Sequence, residues 1–589
     1  MMKKLLLGAV LLISTVMVVA QVPQGKGYKL LFEDNFDGDT LNTNHWYYRI
    51  DHRTGGGYMD GWNRKENVRV KDGILYIDCR HEMLNGKMEN TGGGIISLKN
   101  FGYGYYECKS KPFMAGRGVH TSFWQTGGTN PRVFEIDSHE IDSKSDLGCN
   151  NLYVELGTKD KRVPWPHRAQ VPFKTDADGW WIDAYEYTPE GIRFFDNGQE
   201  VAFCEWPELN AAQAVWLTAL NGCGTVDVDS LPGYSAFDYF RFYAKDYPGI
   251  NILPNGNFEF NQDKVNPYNP VCWNVKGTQN VAKVTFGEAA RDKYKVRFSA
   301  EETYSTELNQ TLSYILDGNY ILSAKIRGNG AKVVLVSSSK EEKMLSHTPD
   351  TKWERVQMPV VVKNNEVTLA INVFGNSTQW LEIDDVEFMK PLLKGQKAPV
   401  KRPVEFFGEA VWSLAMNHPV KFTGDTKFFF FDRFVGLGDQ ITVSMNLTAD
   451  IAANMTPIAR IPKTGKSGWA VQLTEDGGLI FRIGSIADHV DVYAPRAYVA
   501  GKKVNINCVY DKGAVSIYSN GQLLKTQGGI IHDTNDKTAA GRLGTVGLAY
   551  EAVNDVIQDT GVRDVETRER MNFRGTIEQL QIYNKVKRP

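Results

Sequence analysis

The chain reads as an all-β protein: three β-sandwich or jelly-roll domains in series. Three observations predict this. Apolar residues recur at a period of two in short runs such as Leu75-Ile77-Cys79, Ile192-Phe194 and Ile441-Val443-Met445, the signature of half-buried strands. Turn signals, Asp196-Asn197-Gly198 and Asn520-Gly521 among them, separate such runs. No long apolar stripe of period 3.6 competes with that pattern.

At 589 residues the chain is too long for a single core and fits three or four domains at ~150 residues each. Met1-Met2-Lys3-Lys4 and the apolar run Leu5 to Val19 read as a secretory signal over residues 1–20, with small residues at Val18 and Ala20. That run is short for a membrane span, and no later one reaches ~18 apolar residues. The net charge of −2, from 67 basic and 69 acidic residues, provides no field for nucleic acid. The seven cysteines are widely spaced, without a CxxC or HExxH metal pattern. They read as small buried hydrophobes, with a disulfide among the first five as the other reading.

The first domain, residues 21–248, contains Phe134-Glu135-Ile136-Asp137-Ser138-His139-Glu140-Ile141-Asp142. On a regular strand Glu135 and Asp137 share a face, whereas Glu140 falls on the other. The apolar residues change phase at the same place, from Phe134 and Ile136 to Ile141. One extra residue around Ser138-His139, a β-bulge, reconciles both and brings the three carboxylates to one face. Paired carboxylates of this kind are what retaining glycoside hydrolysis uses, one as nucleophile and one as acid and then base. A solvated acidic patch is the reading if the motif stands alone.

It does not stand alone. LLFEDNFDGDTLNTNHW, ENVRV-x-DGILYI, TGGGIISLKNFGYGYYECKSK, TSFWQTG, FEIDSHEID, AYEYTPEGIRFFDNGQEV and FDYFRFY follow one another over about 215 residues. In that order they resemble the catalytic domain of glycoside hydrolase family 16. The resemblance implies two curved sheets around a cleft, with Glu135 as nucleophile, Asp137 as its electrostatic partner and Glu140 as general acid/base. It implies no cofactor for catalysis. Many glucan-cleaving members carry Trp-Pro-Ala-Phe-Trp where this chain reads His120-Thr121-Ser122-Phe123-Trp124; the Ser-Phe-Trp form leans towards members acting on agar- or carrageenan-type galactans. Trp124 is the leading candidate for stacking on a sugar ring, with Trp62, Trp165 and Trp206 as further substrate-binding candidates and core packing as the competing role. His120 and His139 read as structural, since the carboxylates suffice for the chemistry.

Residues 249–390, from Asn251-Ile252-Leu253-Pro254-Asn255-Gly256-Asn257-Phe258-Glu259 to Trp380-Leu381-Glu382-Ile383-Asp384-Asp385-Val386, resemble carbohydrate-binding jelly rolls of the family 4, 9 and 22 type. In that group Glu259 and Asp385 would match positions around a structural calcium, with a metal-free turn-capping pair as the alternative. Trp273, Tyr304 and Trp380 are candidates for sugar stacking there. Residues 391–403 read as a stiff linker, and residues 404–589 resemble a laminin-G or concanavalin-like sandwich.

These readings add up to an exported endo-acting retaining β-glycosidase on a polysaccharide, either a β-galactan of agar or carrageenan type or a β-1,3/1,4-glucan. The competing functions are a non-catalytic glycan-binding protein and a transglycosylase using the same acids.

Overall fold

The computed structural model describes residues 26–55, 59–127, 133–143, 149–156, 168–172, 174–205, 211–260, 267–338, 342–397, 410–414, 419–424, 428–431, 435–462, 464–535, 544–548 and 572–589. The signal segment, Trp165 and Trp206 lie outside the described residues, as does most of the linker. Among the described residues all regular structure is strand apart from two single-turn 3-10 helices, as the period-two pattern predicts. No helix among them is long and apolar enough to cross a membrane.

In the N-terminal region a front sheet faces a back sheet. The strands that build the front sheet or its rim are β1 (Trp46–Tyr48), β2 (Asp51–Gly55), β3 (Met59–Asn63), β4 (Lys87–Ser97), β5 (Val119–Thr126), β6 (Phe134–Asp142), β7 (Cys149–Leu156), β8 (Arg168–Pro172), β9 (Ala214–Asn221) and β10 (Phe428–Phe431). Antiparallel pairing gives the front order β1-β4-β9-β5-β6-β7-β8. The back sheet is centred on Gly233–Ala244 and Gly104–Lys111. Between the sheets lie Leu75, Ile77, Cys79, Ile192 and Phe194, all fully buried, so the predicted alternation marks true core faces. Asn197 and Gly198 adopt the positive φ of a tight hairpin (46° and 79°), the left-handed geometry their types favour.

The hairpin β2–β3 rises at the rim of the front sheet. It seats there because two glycines leave room. A Cβ on Gly61 would lie 1.8 Å from the Asn221 carbonyl oxygen, and one on Gly222 (φ +96°) 2.0 Å from that of Asp60.

Residues 274–389 form two five-stranded sheets packed face to face, a jelly-roll-like sandwich with Leu308, Leu322, Val333, Ile371 and Phe388 in its core. Tyr314 leaves this unit and stacks on Phe101 of the first (4.5 Å between centroids, 11° between planes). Lys99 and Glu366 add a 2.5 Å ion pair. The C-terminal region contains a seven-stranded sheet built around Gln440–Ala449, Lys503–Asp511 and Arg574–Tyr583, and Asn520-Gly521 turns a hairpin as predicted. Its second sheet is not separate: β10 pairs with β8 in the register Arg168↔Phe430, Ala169↔Phe429 and Gln170↔Phe428. The front sheet therefore runs on into the C-terminal sandwich.

Cys79, Cys108, Cys223, Cys272 and Cys508 are free thiols. Cys272 is partly buried and the other four are buried, in keeping with the hydrophobe reading.

Candidate active site

The predicted bulge is present. Along β5–β6 the register runs Ile136↔Gln125 and Asp137↔Trp124, then His139↔Phe123 and Glu140↔Ser122. Ser138 is the extra residue. The phase change sends His139 into the interior, where it is wholly buried against Trp181 (4.7 Å) and 3.3 Å from Ser110 Oγ of the back sheet. Burial holds the His139 imidazole well below its usual range, at about 3, so it is neutral. Ile136 and Ile141 are in the core, while Glu135 and Glu140 lie half-buried on the opposite, solvent-facing side. Asp137, between them, is only 2% exposed. All three predicted acids thus occupy one face.

Asn150 of β7 holds the bulge. Its Nδ2 donates to the Ser138 carbonyl (2.8 Å), and its Oδ1 accepts from the Glu140 backbone N–H (3.0 Å). These are backbone groups that an irregular ladder leaves without strand partners. Beneath the bulge the Asp183 carboxyl is buried beside Ser138, and burial raises its pKa well above the usual carboxylate range.

The cross-strand rows define the floor. In one, Tyr153, Asp137, Trp124, Trp216 and Ile96 lie side by side across β7, β6, β5, β9 and β4. Trp124 and Trp216 pack at 4.8 Å, and the buried Trp124 Nε1 has no hydrogen-bond partner. In the next row Glu140 is followed by Ser122, Thr218 and Gly94, with Ser122 Oγ 2.6 Å from Thr218 Oγ1. Small residues beside two indoles make a trough with an aromatic wall, a shape that suits a sugar ring. Arg49 closes the row: its N–H bonds the Gly94 carbonyl (2.9 Å), its guanidinium pairs with Asp51 (3.1 Å) and lies over Trp216 (5.2 Å). Trp62, on β3, stacks on His52 (4.0 Å, 2°) at the rim.

His120, read from the sequence as structural, stands beside the acids. It is on the same face of β5 as Ser122 and Trp124, opposite Asp142. Its Nε2 lies 3.2 Å from Glu140 Oε1 and its Nδ1 2.8 Å from Asp142 Oδ1. Burial opposes its charge, yet hydrogen bonds to Asp142 and Glu140 outweigh that and push its pKa up to about 10. Parity alone, 120, 122 and 124 on one strand, was a signal that could have placed it in the site. Trp216, Arg49 and Asn150 were missed because their places depend on strand order.

The expected metal positions do not fit calcium. The Glu259 carboxylate accepts backbone N–H bonds from Lys293 (2.8 Å) and Tyr294 (2.7 Å). Asp385 pairs with Arg291 and Lys325, each at 3.2 Å. Two cations stand where a hard divalent ion would require oxygen ligands, and no group of three or more metal-ligating side chains occurs among the described residues. Trp273 and Tyr304 are buried in the jelly-roll core and so offer no sugar platform, whereas Trp380 is half-exposed beneath Arg297 (4.5 Å).

Carboxylates lined up on a bulged strand, beside an indole-walled trough on a β-sandwich, define a glycoside hydrolase of the endo-β-glycanase class. No family model matches the chain. Its N-terminal third is similar to a beta-glucanase of Rhodothermus marinus, 25% identical over 248 residues, covering 37% of this chain and 85% of that protein. It is also similar to beta-porphyranase E of Zobellia galactanivorans, 28% identical over 156 residues, where the chain spans 25% of its own length and half of the relative's. Among solved structures, SCLam, a non-specific endo-beta-1,3(4)-glucanase from family GH16, matches 37% of this chain and 92% of its own at 22% identity and TM-score 0.33. The N-terminal 37% of the chain is thus similar in sequence to endo-β-glycanases.

Proposed function

We propose that the chain is an exported, endo-acting, retaining β-glycosidase that hydrolyses a polysaccharide by double displacement. The observation that carries this reading is the Ser138 bulge, which sets Glu135, Asp137 and Glu140 on one face beside Trp124. Glu140 protonates the glycosidic oxygen as Glu135 attacks the anomeric carbon. Water then releases the glycosyl-enzyme, with Glu140 as base. Asp137, nearly buried between them, keeps negative charge close to both and holds their proton affinities apart. The substrate is a β-1,3/1,4-glucan or an agar- or carrageenan-type β-galactan; the relatives' names, a beta-glucanase and a beta-porphyranase, support both classes. Residues 1–20 direct export, 21–248 carry the chemistry, and the sandwiches at 249–390 and 404–589 hold or present the glycan.

The test is reducing-end release by the full chain from lichenan, laminarin, agarose, porphyran, κ-carrageenan and mucin glycans, with Glu135→Ala and Glu140→Ala in parallel. Release lost in both variants, with the product's anomeric configuration retained by NMR, supports the reading. Glycan binding without release, unchanged in the variants, refutes it in favour of glycan capture. Products longer than the substrate would mark a transglycosylase.

A further inference from the structure

Resting on the reading of Glu140 as the acid/base, we propose that His120 and Asp142 form a proton-holding dyad behind it. In this arrangement the acid's proton is shared along the line from His120 Nε2 to Glu140 Oε1. The retaining mechanism as usually drawn needs only the carboxylates, so the dyad is an addition to it.

Both ring nitrogens of His120 face carboxylate oxygens, Nδ1 to Asp142 at 2.8 Å and Nε2 to Glu140 at 3.2 Å. A neutral imidazole has one N–H and can satisfy only one of these contacts by donation. If both carboxylates are ionised, the second contact sets lone pair against lone pair. Two arrangements relieve this, and both contain one proton more: an imidazolium facing two carboxylates, or a neutral ring that donates from Nδ1 to Asp142 and accepts at Nε2 from protonated Glu140. They differ by moving one proton across the 3.2 Å gap. Asp142 fixes the tautomer in either case, as a second carboxylate does for a catalytic imidazole elsewhere.

The surroundings keep the proton in place. The His120 ring is buried, so the proton does not exchange freely with bulk water. Around it stand Glu140 and Asp142 on β6 and Cys223 just past β9, whose thiol is pushed up to about 12 by burial, Asp142 and Glu140. Arg49 and Arg53 act on the Cys223 side, and His139 is neutral in the core. The neighbouring carboxylates outweigh the cations that reach this spot, which favours retention of the proton. In the first step Glu140 gives its proton to the leaving oxygen as that C–O bond breaks. That leaves Glu140 ionised beside a neutral ring that still donates from Nδ1 to Asp142. In the second step the proton from the attacking water returns to the pair, so the dyad ends as it began and no external donor is consumed.

The experiment is NMR titration of the His120 ring nitrogens in the full chain, assigned by the signal lost in His120→Gln. The wild-type ring is expected to remain protonated beyond pH 8. In Glu140→Gln, which keeps the shape but removes the charge, it should titrate at least one unit lower. A ring that titrates near the ordinary ~6.5 of a free imidazole, or that ignores Glu140→Gln, overturns the proposal without needing any substrate. On the polysaccharide that the wild type cleaves, His120→Gln should move the alkaline limb of kcat/KM down by at least one pH unit, leaving the acidic limb in place. A limb that stays put or moves up overturns it too. Full activity in Glu140→Gln would instead sink the acid/base reading itself, so the two failures are distinguishable.

Discussion

Replacing Asn150 by alanine tests whether the bulge is held or merely present. The side chain is 2% exposed and makes two hydrogen bonds, 2.8 Å to the Ser138 carbonyl and 3.0 Å from the Glu140 N–H. Truncation removes both partners and leaves a C=O and an N–H inside the sheet, at about 1–3 kcal/mol each, hence about 2–6 kcal/mol in all. The strand can recover some of that by slipping the extra residue. A one-residue slip turns every following side chain to the other face, His139 and Glu140 first. Even a displacement of ~1 Å at a reacting group can cost about a hundredfold in rate. Asn150→Ala is therefore expected to lower kcat by about ten- to a hundredfold with a much smaller change in KM, and to lower the thermal midpoint. Asn150→Asp keeps an acceptor for Glu140 N–H but sets a carboxylate against the Ser138 carbonyl, so it should be intermediate or worse. Reducing-end release and thermal unfolding on the full chain read both quantities. An Asn150→Ala enzyme within twofold of wild type in kcat would refute the clamp.

Other outcomes follow from the same contacts. Trp124→Ala should raise KM about five- to thirtyfold, the ~1–2 kcal/mol expected of an aromatic anchor, with kcat less affected; an unchanged KM would mean that the Trp124–Trp216 pair is only packing. Tyr314→Ala removes the stack on Phe101, the edge contact to Phe32 (5.3 Å) and the tilted contact to Phe242 (6.3 Å). As the ring is only partly buried, about half of the 3–5 kcal/mol of a core aromatic is expected, and calorimetry should show the first unfolding transition lowered by several degrees. Asp196 bears on pH: burial pushes its carboxyl up to about 7. A carboxyl raised in the folded state contributes stability that is fully present below its unfolded pKa and lost as pH rises through the folded one. The thermal midpoint should therefore decline between about pH 4 and 7, and Asp196→Asn should flatten that slope; a slope identical in the variant would exclude Asp196 as its source.

What was legible in the sequence is what depends on neighbours along the chain. The phase change between Ile136 and Ile141 located the bulge around Ser138-His139, because side-chain parity is a local property that a buried face enforces. Asn197-Gly198 and Asn520-Gly521 gave their hairpins for the same reason. His120 was read as structural because the carboxylates satisfy the chemistry without it; its place on the acids' face follows from parity. The Glu259 and Asp385 expectation came from a resemblance in residue type. It failed on what stands opposite each carboxylate, two backbone N–H groups in one case and two cations in the other. Strand order is the non-local remainder. Nothing in Phe428-Phe429-Phe430-Phe431 announces that it will meet Arg168-Ala169-Gln170, since an apolar run can complete any open edge. That pairing has a physical consequence for the site. The edge strand β8 lies two strands from the acids, and an open edge there would be free to fray or to pair with another molecule. With β10 on it, the β6–β7–β8 side of the front sheet is held by the C-terminal sandwich, so the strand that presents Glu135, Asp137 and Glu140 lies within a continuous sheet and not near its margin.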